Sequence, residues 1–318
     1  MERKFWHSLT STATKEFIEE GRRTSGYSRF DTIHGYVYGR WPYLYIGIGT
    51  GEHWIARVFG PIYRSLFKLV SRDNNNNGSQ IITSDQELIE SGTFADGYHG
   101  KVVPLDAATQ LVSVNEDIRI MDLEKVIPYV KARDIILHNP DHILALECPC
   151  RSARPNPCLP LDVCLIIGDP FASFVYEHHP NRSRRISQDE AIEILRAEDE
   201  RGHVHHAFFK DAMLGRFYAI CNCCECCCGA MNAHRNGTPM LASSGYVCQV
   251  DSDLCIGCGD CSEYCQFNAL SMNEYIMHVE VNDCMGCGVC TSHCDQGALT
   301  LLREESKGEP LELCALMN

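Results

Sequence analysis

No cysteine occurs before Cys148, no long apolar run is present, and positive charge is scarce: 28 lysines and arginines stand against 42 aspartates and glutamates, a net charge of −14. An acidic chain without a lysine or arginine stripe lacks the charge that neutralises phosphates, so nucleic acid is excluded as a partner. The longest uncharged apolar stretch, Trp41 to Gly51, is flanked by Arg40 and Glu52 and falls short of the ~20 residues of a membrane-spanning helix. The opening residues, MERKFWHSLTSTATKEF, hold no apolar core ahead of a small-residue cleavage site and do not read as a secretory signal. The Gly47-Ile48-Gly49-Thr50-Gly51 run is G-x-G-x-G without the G-x-G-x-x-G spacing of a dinucleotide fold, and reads as a tight turn. Neither a P-loop nor a serine–histidine–acid pattern is visible. These absences point to a cytoplasmic protein without a transmembrane segment, in a reducing setting.

What is present is sulfur. All 20 cysteines lie between Cys148 and Cys314. In a reducing compartment such a set serves as metal ligands rather than disulfides. Their distribution divides the chain into three expected domains. Residues 1–120 are aromatic-rich and mixed in pattern, and suit a docking role; 121–240 form a cysteine-rich α/β domain; 241–318 form a second cysteine-rich unit. The expected fold class is α+β. Within the first zone, the NNNNGS run at 74–79 reads as a loop. Residues 54–69 mix large apolar and basic side chains around Gly60-Pro61. That mixture is compatible with peripheral membrane contact, a partner-facing surface or burial, although the Gly-Pro step interrupts any single amphipathic helix.

From Asp122 the periodicity changes. Leu123, Val126, Ile127 and Val130 recur at helical spacing, with Asn139-Pro140 as the stop. Strands are expected over 142–146, 161–167 and 171–176. A capping box at Ser187 opens a helix that runs to Arg201 and ends at Gly202. Residues 203–209 and 216–220 read as extended, so two strands end at cysteine-rich loops.

The last zone repeats with an offset of 29 residues. Cys255-x2-Cys258-x2-Cys261-x3-Cys265 aligns with Cys284-x2-Cys287-x2-Cys290-x3-Cys294. Three thiolates two residues apart wrap one face of a cubane, and the fourth is carried away to the other cluster. Cys255, Cys258, Cys261 and Cys294 would hold one [4Fe–4S] cluster; Cys284, Cys287, Cys290 and Cys265 would hold the other. Glycines 257, 259, 286 and 288 supply the positive φ that such loops need. Zinc ribbons and disulfides are the plain alternatives, but zinc sites usually pair C-x2-C units through a longer loop. The segment Tyr246 to Leu302 resembles the bacterial-type ferredoxin domain with two [4Fe–4S] clusters, which implies a ferredoxin-like two-cluster domain at 241–318. The proline usual after the fourth cysteine is replaced by Gln266 and Asp295.

Ten further cysteines form two groups: Cys148, Cys150, Cys158 and Cys164, then Cys221, Cys223, Cys224, Cys226, Cys227 and Cys228. Taken every third residue, Cys221, Cys224 and Cys227 repeat the tripod spacing, Cys223 and Cys226 form a separate pair, and the first group supplies the missing ligand. One or two further iron–sulfur clusters are expected. A zinc site from four of the ten, or buried reduced thiols, are the competing readings. Arg151 and Arg154 beside the first group either face cluster sulfur or an anionic substrate, or are solvated. His203, His205 and His206, with His178 and His179, read as polar residues near the clusters in preference to ligands. This cysteine arrangement resembles uncharacterised iron–sulfur proteins of anaerobes, which implies the company of a redox enzyme.

The expected function is a multi-cluster electron-transfer protein, a relay subunit in a hetero-oligomeric anaerobic oxidoreductase with donor and acceptor proteins as partners. The alternative is a redox enzyme with a catalytic cluster in the central domain. A DNA-binding redox sensor is disfavoured by the lack of a basic recognition helix.

Overall fold

The computed structural model describes residues 11–49, 53 and 94–317. Eight strands form one sheet: β1 Tyr98–Val102, β2 Ile118–Ile120, β3 Ile135–Leu146, β4 Cys164–Asp169, β5 Ser183–Ile186, β6 Val204–Lys210, β7 Arg216–Cys223 and β8 Leu241–Ala242. Their order is β2-β3-β4-β7-β6-β1-β8, with β5 paired to β3. Only β1 and β8 run parallel. Every residue of β6 is buried, including His205 and His206, so both faces of the sheet are covered there. Because β1 and β2 join strands from 135–223, the sheet runs across residue 120.

Twelve α-helical segments and one 3-10 turn, Glu305–Lys307, are found among the described residues: α1 Thr12–Arg23, α2 Arg29–Arg40, α3 Pro42–Gly49, α4 Phe94–Gly97, α5 Leu105–Val112, α6 Pro149–Ser152, α7 Phe171–His178, α8 Gln188–Glu200, α9 Gly229–Arg235, α10 Asp260–Glu263, α11 Val289–Ser292 and α12 Leu313–Leu316. Ser28 and Asp31 form a reciprocal capping box that starts α2. Ser187 accepts from the Glu190 N–H to start α8, and Gly202 follows its end at φ 79°, as the sequence leads one to expect. Phe17 of α1 stacks on Phe174 of α7 with ring centroids 4.7 Å apart, a contact of about 0.5–1.5 kcal/mol beyond its burial.

Three local expectations are corrected. Residues 123–130 form turns, not a helix, because Pro128 has no N–H to continue one. Leu123, Val126 and Ile127 still face the core, held by bonds from the N–H groups of Val126 and Ile127 to Leu123 O, while Val130 is exposed. The segment 171–176 is helix α7, not a strand. Its Phe171, Phe174 and Val175 are buried at helical spacing, and Asp169 accepts from the Ser173 N–H and hydroxyl at the start. The glycine turn expected at 47–51 is helical as far as Gly49. Gly51, the 54–69 segment, the 74–79 run and residues 1–10 lie outside the described residues.

The C-terminal region is built from two short antiparallel pairs, β9 Tyr246–Val250 with β12 Leu299–Arg303 and β10 Leu270–Asn273 with β11 Ile276–Val279. Helices and strands are mixed throughout, so the class is α+β. No described helix is long and apolar enough to cross a membrane.

Candidate metal centres

The two halves of the 29-residue repeat fold alike. Gly257 and Gly286 have φ of 68° and 64°, and Gly259 and Gly288 have φ of 88° and 86°. A Cβ at Gly257 would lie 2.2 Å from Tyr275 O, and one at Gly286 would lie 2.2 Å from Tyr246 O. Each loop is therefore clamped against backbone, the β10–β11 turn for Gly257 and strand β9 for Gly286, and only glycine fits. The clamp turns the three nearby cysteines inward. One cavity, enclosing about 360 Å³ of empty space, is lined by Cys255, Cys258, Cys261 and Cys294. The second, about 320 Å³, is lined by Cys265, Cys284, Cys287 and Cys290. Each fourth cysteine thus faces the cavity of the opposite half. The donor set is four soft thiols around an apolar void, with N–H groups aimed at sulfur: Ala269 N lies 3.2 Å from Cys265 Sγ and Cys248 N lies 3.4 Å from Cys284 Sγ. Those residues fit the cubanes that the spacing implies.

Sequence reasoning left Cys248 without a role. It is buried in the second cavity, 3.6 Å from Cys290 Sγ, and that contact together with burial raises the Cys290 thiol. Gln266 also had no evident purpose. Its Oε1 accepts from the Glu225 N–H at 2.8 Å, and its Nε2 donates to Gly202 O at 2.9 Å. It therefore joins the residue after Cys265 to the loop between Cys224 and Cys226. His293 stacks on Tyr264 with centroids 3.7 Å apart and bonds to Glu200 O, so the same face docks on the end of α8.

Eight of the ten central cysteines, Cys148, Cys150, Cys164, Cys221, Cys223, Cys224, Cys227 and Cys228, line one cavity of about 770 Å³ with its open mouth included. Six of these make up a six-thiol chamber of neighbouring, interacting sulfurs: Cys164 lies by Cys221 and Cys148, Cys148 by Cys150, Cys150 by Cys228, and Cys228 by Cys223. Strand pairing produces this grouping. Cys164 and Cys221 are directly opposite across β4 and β7, and Cys221 and Cys223 share one face of β7. Cys148 and Cys150 come from the start of α6 and Cys228 from the start of α9. Hydrogen bonding to Cys150, with burial, pushes Cys148 up to about 12, and bonding to Cys148 and Cys221 holds Cys164 well above the ordinary thiol range. A multivalent metal centre is what would let these sulfurs ionise. The opposite wall is aromatic, with Tyr38, Tyr98 and Tyr218, and the Tyr38 and Tyr218 hydroxyls are 2.7 Å apart.

Cys158, Cys224, Cys226 and Cys227 form the second set, with all four sulfurs within 4.8 Å of one another. Cys221, Cys224 and Cys227, the tripod expected from every-third spacing, all line the large cavity, while Cys224 and Cys227 also lie beside Cys158 and Cys226. The pair Cys223 and Cys226 is divided, with Cys223 on the cavity wall and Cys226 in the quartet alone. The 148–164 group does supply the missing ligand, Cys158.

Arg151 is not a solvated residue. It is 1% exposed and donates to Glu198 Oε2 at 2.7 Å, Pro160 O at 2.6 Å and Asn222 O at 3.0 Å. Burial alone would raise the Glu198 carboxyl, but His203 and Arg151 together hold it below its usual range. Arg154 donates to Cys227 O at 3.3 Å. His203 bonds to Glu198 at 2.7 Å and His205 to Asn222 Oδ1 at 2.6 Å, both fixing the walls of the site. His178 and His179 sit elsewhere, against Arg40 and Gly39 O respectively. No histidine enters a group of three or more metal-ligating side chains among the described residues.

No curated protein and no solved structure matches the chain. Residues 254–298 match the 4Fe-4S dicluster domain family, and with both four-cysteine cavities inside that span, the C-terminal part of the chain is a ferredoxin-like iron–sulfur domain.

Proposed function

We propose that the protein transfers electrons through three iron–sulfur centres and serves as a relay subunit of a larger oxidoreductase. In this reading Cys255, Cys258, Cys261 and Cys294 hold one [4Fe–4S] cluster, Cys265, Cys284, Cys287 and Cys290 hold the second, and the six-thiol chamber holds a further iron–sulfur centre. The bound clusters supply one-electron chemistry. The chain supplies everything that tunes it: thiolates, N–H groups on sulfur, apolar walls that exclude water, and a fixed docking geometry.

The observation that carries the proposal is the Gln266 bridge. It seats the cysteine that crosses into the second cavity directly against the loop leading into the chamber. A free carrier has no need of such a seat. Partner proteins as donor and acceptor are supported by an exposed apolar face on α2 and α3, where Phe30 and Ile33 are 75% and 62% exposed and Trp41, Leu44 and Ile48 lie alongside. The test is spectroscopic titration of anaerobically prepared full-length protein. Cluster signals beyond the two of the C-terminal domain, reduced in the same titration, support the relay; eight irons per chain and two signals refute it.

One observation favours the enzyme reading instead. The chamber has an aromatic wall opposite its thiols, a surface suited to a small molecule. Arg151 is not available to orient such a molecule through the groups already committed to Glu198, Pro160 and Asn222. A chamber signal that shifts when candidate small molecules are added to the reduced protein supports the enzyme; an indifferent signal supports the relay.

A further inference from the structure

We propose that Cys158, Cys224, Cys226 and Cys227 bind a single zinc ion that clasps shut the entrance loops of the six-thiol chamber. The distances carry the assignment. Cys158 and Cys226 sulfurs are 3.2 Å apart, Cys226 and Cys227 sulfurs 3.6 Å, and all four fall within 4.8 Å. Four thiolates bound tetrahedrally at about 2.3 Å from one ion stand about 3.8 Å from each other. A cubane spreads its thiolates more widely, because each sits outward of a different iron. The same chain provides the contrast. The eight cysteines of the ferredoxin-like domain surround cavities, and no three of them converge in this way; the quartet is the one such group among the described residues.

The donor set also selects the metal. Four soft thiolates with no oxygen or imidazole suit zinc in a closed, structural site, with no position left for substrate. Such a site would carry a net charge of −2, and cationic side chains lie where they offset it. Arg154 reaches Cys227 O, and Arg235, itself paired with the Glu225 carboxylate at 3.5 Å, bonds to Glu225 O at 3.0 Å within the same loop.

The location gives the ion a role. Cys158 lies in the loop that runs from α6 into β4, and the other three lie in the loop that leaves β7 for α9. The first loop follows α6, whose start presents Cys148 and Cys150 to the chamber, and the second ends at Cys228. The β4–β7 ladder ends at the Cys164–Cys221 pair, and beyond it the loops are joined by the bonds of Asn222 to Val163 O and Arg154 to Cys227 O. A tetrathiolate ion spanning them would fix both chamber walls at once. This inference stands apart from the cluster assignment, since its readout is zinc and not iron.

The test is metal analysis of the full-length protein, prepared without oxygen from iron-replete cells, together with zinc X-ray absorption of the unaltered chain. One zinc per chain with four sulfur neighbours at about 2.3 Å is the expected result. Cys226→Ser, at the exposed member of the quartet, should lose that zinc to a chelator while the C-terminal irons remain, and Cys158→Ser should do the same. Absence of zinc from the unaltered protein overturns the proposal even if neither variant folds. Loss of iron in place of zinc from either variant, or a zinc shell containing nitrogen or oxygen, overturns it equally.

Discussion

Replacing Glu198 with leucine removes the only carboxylate that meets the Arg151 guanidinium. Both side chains are essentially inaccessible, at 1% and 0% exposure, and the guanidinium would be left with neutral partners alone: Pro160 O, Asn222 O and the His203 ring nitrogen at 3.0 Å. Breaking a buried pair from one side typically costs about 3–5 kcal/mol, because the stranded charge keeps its desolvation penalty. At about 2–4 °C per kcal/mol for chains approaching this size, Tm should fall by roughly 6–20 °C. Arg151→Met should cost less, since Glu198 keeps Arg201 at 3.0 Å and His203 at 2.7 Å. The double variant Arg151→Met with Glu198→Leu should recover most of the loss, because two apolar side chains need no partner. Calorimetry or circular dichroism under anaerobic conditions reads all three. If Glu198→Leu melts within about 2 °C of the parent, or the double variant is worse than the sum of the singles, the desolvation argument is wrong.

Other consequences are equally direct. Gly257→Ala and Gly286→Ala each place a Cβ 2.2 Å from a backbone carbonyl at positive φ, so each should open its own loop and lower the iron count by four; unchanged iron in both would refute the clamp. Gln266→Pro, which installs the residue usual in dicluster ferredoxins, removes two inter-segment hydrogen bonds and should cost about 1–3 kcal/mol, with faster amide exchange at Glu225. Unaltered Glu225 protection would show that the bridge holds nothing. Burial lowers Lys210 to about 8 from 10.5, so both folded and unfolded chains are protonated below pH 8, and stability should rise between about pH 8 and 10.5 as the folded state alone sheds its proton. Lys210→Met should abolish that rise. It should also be more stable at pH 7 by about 2–3 kcal/mol, after allowing for lost contacts with the rings of Tyr38, Tyr45 and Tyr98. A stability curve of unchanged slope in the variant would contradict the assigned shift.

The repeat was legible because its geometry is local. Ligands two residues apart, glycines at matching offsets and a crossed fourth cysteine are all written within eleven residues, and the structure brings together the two sets that spacing implies. The central grouping was legible from spacing only in part: Cys221, Cys224 and Cys227 line one cavity, but the partners of Cys221 depend on strand register. Cys221 and Cys223 belong to β7, where alternation puts them on one face, and Cys164 meets Cys221 only because β4 pairs there. Reading the six cysteines as a loop with every-third periodicity assigned them a turn geometry that begins only at Cys224. Helix α7 was missed for a related reason: a six-residue apolar run carries no decisive period, and Asp169 settles the matter by bonding to Ser173. Gln266 looked like a lost proline until its partners, 41 and 64 residues away in sequence, were in view.

Iron and acid-labile sulfide, counted per chain in protein that has never met oxygen, test the central claim most directly. Parent protein should carry more than the eight irons of two cubanes, and Cys148→Ser with Cys221→Ser should bring the count down to those eight while leaving the C-terminal signals intact. A parent count of eight or fewer, or a variant that loses C-terminal signals instead, would contradict a third centre in the chamber.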